Sequence, residues 1–297
     1  MSTDLAISTP DAGISLAEAM GVSQPTSSKT STLARISQVH TPIKGEIELA
    51  GKKISTEVIT QGMFKIEQGD QVAYATEVSV QVYAQREQWT KWDTEKDMMG
   101  KTIMDQSLNK DLKDNLGGFN LGRGNKYHTK KEWDALDQAT KTRITSVKRT
   151  KVVFGLVTAS ELIDEAGQPS DMAVDNLPFV MDVKNRQSLK SLTDCVKSIM
   201  TKNLLPIEYL INMKHEIHSI QTGATYSSTI YSLLNKVEVD NDVSSPILGN
   251  FLDWIQNTNK YIIDQWQEAQ DSSLSDAESS IVSNLVNVSD EEMADFA

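Results

Sequence analysis

From residue 45 to residue 85 the chain twice repeats one pattern, apolar and polar residues alternating on both sides of a short turn. This limits what it can fold into more than any other feature. In GEIELAGKKISTEVIT (45–60) the turn is Ala-Gly-Lys-Lys; between MFKIE and QVAYATEVSVQVYAQ it is Gln-Gly-Asp-Gln. Side chains along a strand point alternately to opposite faces, so a period of two collects the apolar set on one side. The glycine-containing turns bring the chain back beside itself, and two β-hairpins are predicted. Strand character returns at 148–159 (KRTKVVFGLVTA) and 178–184, and a third hairpin pairs 207–220 with 226–239.

Two helices accompany these strands. Residues 186–204 gather Leu189, Leu192, Val196, Ile199 and Met200 on one face, with Pro206 beyond the end. A second helix begins near Ser245 and Pro246, a good cap and first-turn pair, and carries Leu248, Phe251, Leu252, Ile255, Ile262 and Trp266 toward a core. Residues 93–147 lose the alternation. They hold a Gly-rich stretch and two helix-like pieces, KTIMDQSLNKDL and KKEWDALDQATKTRI, and read as an insertion. The predicted fold class is β-rich α+β: an OB-fold-like antiparallel barrel with a long inserted loop region and flanking helices. Residues 1–40, rich in Ser, Thr and Ala, are expected to form a disordered arm. Residues 41–270 form the core, and 271–297 an acidic C-terminal tail.

The net charge of −12 argues against a polyanionic partner until its distribution is read. From Arg86 to Lys151 there are 15 Lys and Arg against 10 Asp and Glu; from Tyr261 to Ala297 there are nine acids and no Lys or Arg. Local fields, not the sum, steer ligands. The single cysteine, Cys195, excludes an internal disulfide framework and fits a reducing compartment. No apolar run approaches the roughly 20 residues a membrane helix needs, and the first residues have neither a basic nor an apolar signal region. A cytoplasmic protein without a membrane partner is expected.

Catalytic machinery is hard to find. His215 and His218 have a helical metal-ligand spacing in a segment that reads as a strand, where i and i+3 face opposite sides. Cys195 has no histidine near it in sequence. Gly117, Gly118, Gly122 and Gly124 lack the Gly-Lys-Ser/Thr ending of a phosphate-binding loop and read as a flexible connection. No enzyme, no metal and no cofactor is predicted.

What does stand out is YAQREQWTKWDTEKDMMGK (83–101) and its cationic continuation. Tyr83, Arg86, Trp89, Lys91, Trp92 and Lys101 crowd the end of the longest strand; Phe119, Arg123, Lys126 and Lys130 follow, then Arg149 and Lys151. Aromatics interleaved with cations suit single-stranded nucleic acid, whose bases stack for about 1–3 kcal/mol each while Lys and Arg neutralise phosphates. The acidic end, DEEMADF, sets Asp290, Glu291, Glu292 and Asp295 beside Phe296. Such a tail competes for a cationic groove or docks on partner proteins.

In these features the chain resembles the single-stranded-DNA-binding proteins of tailed bacteriophages, which combine an OB-fold core, basic and aromatic loops and an acidic tail. The resemblance covers residues 40–297 and is architectural. It implies sequence-tolerant binding of single-stranded DNA, protection of replication and recombination intermediates, and recruitment of replication or recombination proteins through the tail, with homo-oligomers possible. Tyr83, Arg86, Trp89, Trp92 and Phe119 would stack or clamp; Lys91, Lys101, Arg123, Lys126, Lys130, Arg149 and Lys151 would contact phosphates. The rival reading is a phage structural or assembly protein.

Overall fold

The structure, a computed structural model, describes residues 33–49, 52–124 and 128–294. Eleven strands are described: β1 (Ala34–Gln38), β2 (Ile43–Leu49), β3 (Lys52–Ile59), β4 (Phe64–Gln68), β5 (Gln71–Ala75), β6 (Glu77–Asp93), β7 (Met98–Lys101), β8 (Lys148–Thr158), β9 (Leu177–Val183), β10 (Tyr209–Ser219) and β11 (Thr225–Lys236). The helices are α1 (Lys130–Ala135), α2 (Gln138–Ser146), α3 (Arg186–Met200) and α4 (Asn241–Ala294). The chain is a β-rich α+β protein, as its alternation predicts. Nine strands form one mixed sheet in the order β11-β10-β6-β8-β9-β1-β4-β5, with β7 also paired to β6; β2 and β3 pair separately. All ladders are antiparallel except β1 with β9.

All three predicted hairpins are present, as β2/β3, β4/β5 and β10/β11. The barrel is not. The strand predicted as continuous over 71–85 breaks at Thr76, and no ladder joins β5 to β6 among the described residues. A strand has two hydrogen-bonding edges, and where β6 begins both are taken, by β10 over residues 77–81 and by β8 from Ser79 onward. None remains for β5, which pairs with β4 alone and ends the sheet.

Part of the predicted arm also belongs to the sheet. Ala34 and Ile36 alternate with polar neighbours and are buried between β9 and β4, so residues 34–38 are core; residues 1–32 lie outside the described chain.

One face of the sheet holds the main core. Ile36, Phe64, Ile66, Val78, Val80, Val153, Phe179 and Met181 pack there with Leu192, Cys195 and Ile199 of α3. Met200, expected on that face, is 60% exposed at the helix end. On the other face Phe154 lies 5.9 Å from Phe251 and 5.4 Å from Trp254 of α4, and Tyr83 lies 5.8 Å from Phe251. The ladder between β6 and β8 slips between Val82 and Ala84, a bulge that brings backbones close together. A Cβ on Gly155 would stand 2.0 Å from the Gln81 carbonyl oxygen. Gly155→Ala is therefore expected to cost about 1–3 kcal/mol or more, because backbone must shift to admit the methyl; urea unfolding beside the parent protein measures it.

In the insertion, described over residues 93–124 and 128–147, the first helix-like piece is not helical. Asp114, fully buried, accepts the amides of Leu116 (3.1 Å), Gly118 (2.9 Å) and Leu121 (2.8 Å). Asn120, also fully buried, accepts the Leu112 amide at 3.1 Å and donates to the Lys110 carbonyl at 3.2 Å. Side chains thus serve backbone groups that a helix would have paired. The second piece divides at Leu136 into α1, held by a capping box between Thr129 and Glu132, and α2, capped by Asp137.

Helix α4 begins one turn before Ser245, where Asp240 accepts the amides of Asp242 and Ser244. Its Asn259 clamps Met104 of the insertion, accepting its amide at 2.7 Å and donating to its carbonyl at 2.9 Å. No Gly or Pro follows Gly249, so nothing in the sequence stops this helix. The predicted tail accordingly continues α4 through Ala294; Asp295 and Phe296 lie outside the described residues.

Candidate nucleic-acid interface

The stretch 83–101 runs along β6 and β7, and alternation distributes its side chains over both faces. Trp89 is 3% exposed and packs with Leu108, Leu112, Leu121 and Val147 under the insertion, with the Arg123 guanidinium 4.2 Å from its ring. It is a core residue, which corrects its expected role as a stacking platform. Tyr83 is wedged against Phe251, its hydroxyl 3.4 Å from that of Ser244. Both rings are engaged because the insertion and α4 cover the two faces of β6. Arg86 donates to the neighbouring Gln85 carbonyl at 2.8 Å. Phe119, though 46% exposed, sets its edge 5.6 Å from Trp266. Trp92 alone of these aromatics is more than half exposed, at 53%.

The predicted cations also separate. Arg149 and Lys151 both reach Glu87, Arg149 through Nε at 2.9 Å and Lys151 at 3.6 Å. Lys130 opens α1, Lys91 is half-buried on β6, and Lys126 lies outside the described residues. The stripe legible in the sequence is not one surface.

A different concentration of charge is. Where β8 begins, β9 ends and α3 lies alongside, a cleft of about 490 Å³ is lined by Lys148, Arg149, Lys184, Arg186, Lys190 and Lys197, with Leu189, Thr193 and a single carboxylate, Asp194. The helix explains the clustering. Arg186, Lys190, Thr193 and Lys197 recur at i, i+4, i+7 and i+11, one face of α3, while Leu192, Cys195 and Ile199 bury the opposite one. That cation spacing is the signal in the sequence that the apolar pattern of the same segment overshadowed.

Electrostatics within the cleft favour an anion. The hydrogen bond from Lys190, at 2.5 Å, with the charges of Lys190 and Lys197, holds the Asp194 carboxyl below the usual carboxylate range. Lys184 stands 3.5 Å from Asp182. Arg186 and Lys197 have no salt bridge among the described residues. Lys101 belongs to the same field: burial pushes its ammonium below the ordinary lysine range, Asp182 opposes this, and the charges of Arg35 and Lys184 add to it. In the sheet register Thr90 stands opposite both Lys101 and Lys148, so these three form one row. Trp92 follows two positions beyond Thr90, on the same side of the strand.

The remaining motifs make contacts within the fold. His218 lies 2.7 Å from the Ser228 hydroxyl and stacks on Tyr226 at 5.0 Å; His215 contacts the Thr76 carbonyl. Among the described residues no group of three His, Cys, Asp or Glu is placed to hold a metal ion. Gly117 leaves room for α4, since a Cβ there would stand 2.6 Å from that of Ala269. Burial pushes the Cys195 thiol up to about 11. Its alkylation by iodoacetamide at pH 8 is expected to be slow in the native protein and fast in urea, with the native rate tracking opening of the core.

No family model, curated protein or solved structure matches the chain. Among the described residues no helix is long and apolar enough to cross a membrane.

Proposed function

We propose that this protein binds single-stranded DNA with little sequence preference and without catalysis. Residues lining the cleft supply six cations against one carboxylate in a chain of net charge −12, and this observation carries the reading. Clustered Lys and Arg neutralise phosphates without reading sequence. A concave cationic site suits an unpaired strand, which can follow a groove and offer its bases for stacking, and Trp92, exposed on β6, is the indole assigned to that stacking. The proposed contact set is Lys148, Arg149, Lys184, Arg186, Lys190 and Lys197, to which Lys101, in the same electrostatic field, and the exposed Trp92 are added. The likeness to the single-stranded-DNA-binding proteins of tailed bacteriophages supports the same reading and extends it to cytoplasmic protection of replication and recombination intermediates. An OB-like ancestry for the mixed sheet belongs to that proposal. So does docking of replication or recombination proteins on Asp290, Glu291, Glu292, Asp295 and Phe296.

Titration with oligo-dT at two salt concentrations, read by tryptophan fluorescence, tests it. Binding that weakens steeply with salt is expected. Trp92→Ala should weaken binding about 5- to 150-fold, the equivalent of one stacked base at about 1–3 kcal/mol, and leave unfolding unchanged because the ring is at the surface. No binding to dT would remove the proposal and promote the structural or assembly reading.

A further inference from the structure

A second cleft, of about 260 Å³, opens beside the first, and Lys184 lines both. Its position follows from the one parallel pair in the sheet. Strands β1 and β9 run in the same direction and end together, at Gln38 and Val183, and β9 passes directly into the N-terminus of α3. Carboxyl ends of parallel strands facing a helix N-terminus favour anionic groups, since helix dipole and amides point the same way. The helix alone is not the site: Asn185 already accepts the amides of Gln187 at 2.8 Å and Ser188 at 3.4 Å.

Side chains supply what the helix does not. Arg35 and Lys184 are exposed on the rim, and the Asp182 charge is partly met by Lys184 at 3.5 Å. Ser227 forms part of the wall, is only 4% exposed, and its hydroxyl has no hydrogen-bond partner; the Nε2 of Gln38, another lining residue, has none either. A buried polar group without a partner costs about 1–3 kcal/mol. Two such donors, buried in the wall of one small cleft that Arg35 and Lys184 also line, are what an oxyanion seated there would satisfy.

We infer that this cleft receives a phosphate monoester, the terminal phosphate of a nucleic-acid strand lying in the neighbouring cationic cleft. The inference rests on the DNA-binding reading for its ligand, but its geometry is separate. A diester within a strand has substituents on both sides; a pocket this small, closed by Asn185 and Ser227, accepts an end. The protein would then prefer strands with a phosphorylated terminus.

Oligo-dT carrying a 5′-phosphate, a 3′-phosphate or neither is titrated by tryptophan fluorescence, and thermal unfolding is followed with dTMP, thymidine and inorganic phosphate. One phosphorylated end is expected to bind at least fivefold more tightly than the unphosphorylated strand. Arg35→Ala should erase that preference and keep the affinity for unphosphorylated dT. Ser227→Ala should reduce the preference without lowering Tm, since it removes an unpaired hydroxyl. Equal affinity for all three strands, with salt-sensitive binding intact, overturns the pocket and spares the cationic cleft. If no strand binds but dTMP raises Tm and thymidine does not, the pocket stands and the cleft reading falls. Inorganic phosphate matching dTMP assigns the pocket to free phosphate rather than a strand end; no shift with either overturns it.

Discussion

Replacing Arg186, Lys190 and Lys197 together by glutamate is expected to reduce oligo-dT affinity by at least a hundredfold near physiological salt. It should also roughly halve the dependence of binding on salt. For single strands each neutralised phosphate contributes about 0.7 to the slope of log affinity against log salt. Six cleft cations sharing about six phosphates would give a slope near four, and removing three a slope near two. Reversal adds repulsion to the loss, so affinity should fall further than in the alanine triple, where the slope change is cleaner to read. The fold should survive. All three side chains are exposed and point away from Leu192, Cys195 and Ile199, and among the described residues the ion pair lost is Lys190 with Asp194. An exposed i,i+4 pair of this kind, screened by solvent, contributes little to stability. Lys130→Glu changes charge outside the cleft and serves as the control. If Lys130→Glu weakens binding as much as each α3 reversal does, net charge rather than the cleft governs affinity, and the assignment fails.

The contrast between Lys130 and Lys190 shows how far the sequence was legible. Period-two alternation gave all three hairpins, because it depends only on neighbouring residues along a strand. The helix at 186–200 and its buried face were equally local. What local pattern does not carry is which strand edges meet. The expected barrel failed at Thr76 because β6 spends both edges on β8 and β10, partners that arrive about 70 and 130 residues later in the chain. The site misled for the same reason. Tyr83 and Trp89 look like a binding stripe beside Arg86 and Lys91, yet their burial is decided by Phe251, Leu108 and Leu112, which fold back over them. Conversely Lys148, Lys184 and Lys190 are spread along the chain and meet only through the order β6-β8-β9 and the turn into α3.

Trp89→Ala is the change that separates the two readings of the 83–101 stretch, and its effect should fall on stability. Removing a buried indole costs about 3–5 kcal/mol, through lost transfer energy and the cavity left behind. Domains of this size are stable by about 5–15 kcal/mol, so a large part of that margin would go. The loss should concentrate in the insertion, because Trp89 is the largest residue of the cluster with Leu108, Leu112, Leu121 and Val147, and because it carries the ring on which Arg123 rests. Hydrogen exchange at the amides that Asp114 and Asn120 hold should therefore accelerate before exchange in β9 or β1 does. Trp89→Phe should be far milder. It keeps an aromatic ring in the cluster and removes the indole N–H, which is buried without a partner. Affinity for dT, measured at a temperature where Trp89→Ala is still folded, should change much less than in Trp92→Ala. The opposite pattern, unchanged urea unfolding with affinity lost, would return Trp89 to the surface and restore the stripe as the DNA contact.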